Sequence, residues 1–208
     1  MNSKPETAAA WPRLALVVGA GLATGVLTQF GQSVLPDGLS QAANSISPWL
    51  LVAFLAGAAM SDVCWAAIAG IATLALALAG YDAMILIRYG YGPGLGPTIL
   101  WGLAAVVGGP VFGGAGRAWR TGSHLWRAIA LGLLAAVGVG EGIYCAVGLS
   151  WPAVGAGFAI AGLLMPLILG RSRDDRIGAY VAAIPAMGLG ALGYVALTLL
   201  GGLTAGIN

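Results

Sequence analysis

One histidine, two cysteines and a charged fraction of 8% leave this chain short of the residues on which most enzymes build their sites. His124 by itself supplies neither a multi-histidine metal site nor paired haem ligands. Cys64 and Cys145 each sit inside an apolar run and lack the spacing of a zinc site or a disulfide framework. The sequence has no aspartate-rich DDxxD run to hold magnesium on a diphosphate and no glycine-rich nucleotide-binding loop. No cofactor is therefore implied, and coupling to ATP would need another subunit. The only lysine, Lys4, precedes the first apolar run, so a Schiff base inside the chain's apolar segments is excluded. A net charge of +2 scattered over short connections makes no basic patch, and nucleic acid is not an expected partner.

What the chain has is apolar and small. Its 208 residues are 59% hydrophobic with 35 glycines and a mean hydropathy of +0.92, the composition of an integral membrane protein. A membrane-spanning helix needs roughly 20 mostly apolar residues. Seven segments approach that length: 12–30, 45–60, 63–87, 97–116, 125–149, 151–170 and 177–203. The expected fold is all-α, a bundle of seven transmembrane helices in the plasma membrane with the N-terminus inside and the C-terminus outside. Residues 1–11 form a cytoplasmic tail and 12–208 a single transmembrane domain, and the first apolar run is expected to be retained, not cleaved. This count puts Lys4, Arg13, Arg117, Arg120, Arg127, Arg171, Arg173 and Arg176 on one side, as the inner excess of basic residues requires. Merging the second and third segments would strand Arg117, Arg120 and Arg127 outside.

The joints fit that layout. Ser47-Pro48 reads as a cap and first turn, and Ser61 or Asp62 can cap the third segment. Residues 31–44 and 88–96 are expected as outer loops. Trp11, Trp49, Trp101, Trp126 and Trp151 fall near membrane boundaries, where indole rings anchor helices. The pairs Gly21/Gly25, Gly109/Gly113 and Gly138/Gly142 are spaced to bring helix backbones together. Pro110, Pro166 and Pro185 are expected to bend their helices.

Against this background Glu141, in AVGVGEGIYC, stands out, because a charge at membrane depth costs about 2.5–3.5 kcal/mol even on lenient insertion scales. Tyr144 and Cys145 follow on the same helical face, and burial favours the neutral carboxylic acid, a proton donor. The bland alternative is a hydrogen bond to a neighbouring helix. Asp82, beside Tyr81 near the outer end of the third segment, reads equally as a functional acid or as an interface salt bridge with Arg88. Asp62 reads mainly as a helix cap, and Asp174-Asp175 within RSRDDR as an exposed loop neutralised by its arginines. Glu141, Asp62, Asp82 and Tyr144 are thus the candidate catalytic residues. Asn44, Trp49, Trp65, Trp101, Phe112 and Tyr194 are candidates to line a substrate site, and no metal ligands are expected.

Two resemblances follow from these residues. With its short helices, isolated acids and interior aromatics, the chain resembles the small integral-membrane terpene cyclases of meroterpenoid and indole-terpenoid pathways. That resemblance is architectural and carries no diagnostic motif. It implies cyclisation of a prenyl chain without metal, started by proton transfer to an alkene or epoxide, with a lipophilic prenylated small molecule as substrate. Separately, SPWLLVAFLAG and GGPVFGGAGRAW resemble a family of small actinobacterial membrane proteins of largely uncharacterised role. A small-molecule transporter or substrate-binding membrane subunit is the alternative function, and a scaffold that uses Glu141 only as interhelical glue is a third. The expected partners are the bilayer, the lipophilic ligand and, where the chain self-associates, a homo-oligomer.

Overall fold

The structure is a computed structural model that describes residues 10–204, excluding the side chains of residues 10, 194, 197, 198 and 200 onward. The expected tail therefore lies outside the described residues up to position 9, and so does the Tyr194 side chain. The helices are α1 (Ala10–Val34), α2 (Asp37–Ala43), α3 (Ile46–Ala58), α4 (Val63–Tyr89), α5 (Leu95–Thr121), α6 (His124–Ile143), α7 (Pro152–Leu169) and α8 (Arg173–Thr204). A π-helical turn, Tyr144–Gly148, extends α6. Among the described residues seven stretches are long and apolar enough to cross a membrane, with α2 and α3 together making the second, Asp37–Ala58. The chain is a multi-pass, all-helical membrane protein.

Local chemistry sets the boundaries. Asp62 caps α4 by accepting from the Trp65 amide at 2.9 Å, and Gly90, at φ 75°, ends it in the left-handed conformation that glycine adopts without strain. Pro152 opens α7, where a missing N–H costs nothing. The helices run on through Pro110, Pro166 and Pro185, which membrane helices tolerate where neighbours and waters satisfy the freed carbonyls.

Two expectations are corrected. The outer loop predicted over 31–44 is mostly helical: α1 continues to Val34, and Pro36 sits at the N-cap of α2 with φ −71°, a value its ring fixes anyway. Gly38 of α2 is covered by the Trp151 ring, which leaves no room for a β-carbon. Second, α3 begins at Ile46 with Ser45 as its N-cap, so Ser47 lies inside the helix and does not cap it.

The most extensive packing is α6 on α8, α1 on α4, α4 on α5, α6 on α7 and α3 on α5. The main core forms where α3 to α6 converge, around Leu50, Phe54, Leu74, Phe112 and Leu134. The three glycine pairs lie at close backbone contacts. Gly25 abuts the Ala77 carbonyl of α4, Gly113 the Ala66 carbonyl, and Gly138 and Gly142 the α7 backbone at Gly162 and Gly155. Absence of a side chain is what lets these helices meet in lipid, where van der Waals contact drives association.

Candidate functional site

At the end of the bundle away from the arginine-bearing connections, the α2–α3 junction, α4 and α5 enclose a partly open cavity of about 220 Å³. Leu74, Leu78, Tyr81, Asp82 and Ile85 line it from one face of α4, at the three-to-four-residue spacing of a helical stripe. Thr98, Trp101 and Ala105 face them from α5, and Asn44, Ser45, Ile46 and Trp49 close the third side.

The polar groups in this wall are few. Asp82 lies seven residues, about 10 Å of helical rise, before the end of α4. Its Oδ2 accepts from the Thr98 hydroxyl at 3.0 Å, and it forms no ion pair with Arg88 among the described residues. Trp49 donates its indole N–H to Thr28 at 2.9 Å and meets Tyr81 edge-on, with ring centroids 6.1 Å apart. Ser45 is 3% exposed, and its hydroxyl has no hydrogen-bond partner among the described residues. A buried hydroxyl without a partner is costly enough that native structures seldom leave one.

Glu141 stands behind this wall and is not among its lining residues. Its Oε1 accepts from the Ile46 amide at 2.8 Å, and its Oε2 from the Ser47 amide at 2.9 Å and from the Ser47 hydroxyl. The first amides of a helix have no partner within the helix, and a carboxylate at that end is favoured by the helix dipole. Glu141 thus caps α3 from α6, in the position that Ser45, whose side chain makes no capping bond, leaves open. In doing so it holds in place the segment whose Asn44, Ser45 and Ile46 shape the cavity.

Of the candidates read from sequence, Asn44, Trp49, Asp82 and Trp101 come together in the cavity. Phe112 is buried in the main core, and Tyr144 begins the π-helical turn at 38% exposure. Asp62 and Trp65 lie at the opposite end of the bundle. Sequence reasoning missed Ser45, Tyr81 and Thr98 as lining residues; of these, only Tyr81, adjacent to Asp82, carried a signal.

The arginine-bearing end corrects one further expectation. Asp175 is not an exposed loop residue but is fully buried. It accepts from Arg127 Nη1 at 3.1 Å and from the Arg171 amide at 3.1 Å, and contacts His124 Nδ1 at 3.0 Å. Its own amide donates to Ser172 Oγ at 3.1 Å. Ser172 thus caps the start of α8 through its hydroxyl, while the Asp175 carboxylate takes up the amide of the preceding Arg171. Nearby, Arg117 donates to the Ser61 carbonyl and Arg120 to that of Ala58, closing the C-terminal end of α3. Among the described residues no three His, Cys, Asp or Glu side chains gather as metal ligands.

Fold and cavity together define a class: a helical membrane protein with seven stretches able to span the bilayer among its described residues and an aromatic-walled, acid-bearing cavity toward one end of the bundle. Residues 4–201 match the family of unknown function DUF6518, and the chain belongs to that family. No curated protein and no solved structure matches the chain.

Proposed function

We propose that the protein binds a small lipophilic molecule with a cationic or hydrogen-bond-donating centre, recognised by Asp82. The observation that carries this reading is the make-up of one cavity: a single carboxyl group, steadied by Thr98, shares the wall with Trp49, Tyr81 and Trp101 and with the Ser45 hydroxyl, which has no partner among the described residues. Apolar walls with a few placed polar groups are the usual form of a ligand site. Aromatic faces attract cations, and a carboxylate in an apolar wall gains most from a partner that brings positive charge or a donor. Such binding suffices for the substrate-binding membrane subunit of a transporter.

Tryptophan fluorescence, with Trp49 and Trp101 as reporters, tests the reading by titration with alkyltrimethylammonium and alkyl sulfate of equal chain length. The ammonium series should bind and the sulfate should not. Asp82→Asn should weaken ammonium binding roughly tenfold, the scale of one charge-assisted interaction, and more than Glu141→Gln, which acts only through the wall. Equal binding of both series would overturn the proposal.

The same acid and aromatics favour a second reading, metal-independent cyclisation of a prenyl chain. Asp82 would give its proton to an alkene carbon, the alkene π pair forming the new C–H bond. A second alkene would then attack the cation to form a C–C bond, and loss of a proton to a base would end the sequence, so that product and substrate are isomers. Trp49, Tyr81 and Trp101 would stabilise the cation, and Glu141 moves from proton donor to support of the wall. Membranes carrying the wild type or Asp82→Asn, given prenylated aromatics and free polyprenyl substrates with a chelator present, should yield isomers only from the wild type. Unconverted substrate in both leaves the binding reading alone.

A further inference from the structure

At the arginine-bearing end a second cleft, of about 680 Å³, opens between the start of α4 and the facing parts of α5 and α6. It shares no residue with the cavity at Asp82. Asp62, Arg117 and Trp126 line its polar end, and Val111, Ile129 and Leu133 its apolar depth. Val111 precedes Arg117 by six residues on α5, so the apolar part reaches about 9 Å along the helix from the charged part. A groove that begins with charge at the interface and continues apolar into the membrane has the polarity of a phospholipid.

The charges specify which kind. Arg117 uses Nη2 on the Ser61 carbonyl at 2.6 Å, and its Nε and Nη1 make no hydrogen bond to the described residues. The Asp62 oxygens accept from the Trp65 amide and the Ser61 hydroxyl, and each carboxylate oxygen has a further lone pair to offer. The rim therefore presents a cation with spare donors and an anion with spare acceptors. A headgroup with only negative charge would meet Asp62 as a repulsion, and a quaternary ammonium has no hydrogen to donate to it. Trp126, 58% exposed, sits where indole rings meet headgroups.

We propose that this cleft holds one phospholipid whose headgroup combines a phosphate, placed on Arg117, with a primary amine, placed on Asp62. The site is independent of the ligand reading at Asp82.

Native mass spectrometry of the detergent-purified protein, with equimolar dioleoyl phosphatidylethanolamine, phosphatidylcholine and phosphatidylglycerol, tests the proposal. One phosphatidylethanolamine should be retained preferentially. Asp62→Asn keeps a competent helix cap and should reduce its preference over phosphatidylcholine about fivefold, the effect of one interfacial charge. Gly114→Leu places its side chain in the cleft, since a β-carbon there meets nothing within 4 Å. It should abolish the retained lipid without lowering the unfolding temperature in lipid-free micelles. Equal retention of the three lipids, a preference for phosphatidylglycerol, or a phosphatidylethanolamine preference that survives Gly114→Leu would each overturn the assignment.

Discussion

Replacing Glu141 by alanine removes the acceptor of two helix-end amides, and the expected cost is about 1–3 kcal/mol. Glu141→Gln keeps one acceptor oxygen and should cost less. Thermal unfolding in detergent checks both, and wild-type stability in Glu141→Ala would remove the capping role. Asp175→Ala should cost more, about 3–5 kcal/mol, because it leaves the 14%-exposed Arg127 side chain without its counter-charge. Removing Arg127 as well should then cost much less than the two single losses combined. These acids also mark how far one sequence can be read. The depth of Asp82 and the aromatics near it were legible, whereas RSRDDR read as an exposed loop and gave no sign that Asp175 is buried. That Glu141 reaches Ile46 and Ser47, or that Arg127 reaches Asp175, depends on which helices become neighbours, and local spacing carries no trace of such long-range partners.

At the scale of helices, glycine substitutions should divide sharply. A β-carbon at Gly70 would strike the Gly109 backbone, and one at Gly25 the Ala77 carbonyl, so alanine at either should cost about 1–3 kcal/mol through forced separation of α4 from its neighbour. At Gly19 and Gly102 nothing lies within 4 Å, and alanine there should be neutral or stabilising by about 0.5–1 kcal/mol. Unfolding temperatures of the four variants give the comparison directly. The three spaced glycine pairs were legible because a close helix crossing in lipid demands small residues. The helix α2 was not, because Pro36 and Gly38 are turn formers by local rule and a seven-residue helix owes its existence to its neighbours. Gly38 serves there to seat the Trp151 ring, a reason that lies outside its own segment.

For the whole molecule the bilayer did most of the specifying. Unpaired backbone groups are so costly in hydrocarbon that seven long apolar runs leave helices as the outcome, and the fold class followed from composition and length. The cavity did not, because it needs the rotation of three elements about their own axes. One end of the bundle gathers Arg117, Arg120, Arg127, Arg171, Arg173 and Arg176, and by the inner excess of basic residues that end should face the cytoplasm. The native thiols test this without engineering. Cys64 is exposed at the arginine-bearing end, whereas Cys145 is buried toward the other. A membrane-impermeant maleimide should therefore label inside-out vesicles and spare right-side-out ones, and the reverse pattern would invert the topology. The cap on α3 has a further consequence, for synthesis. Ser47 precedes Glu141 by 94 residues, so at about 5–20 residues per second the ribosome delivers the acceptor roughly 5–20 s after the amides it serves. Throughout that interval the start of α3 waits uncapped, and the segment that shapes the cavity is held in place only when the fifth span arrives.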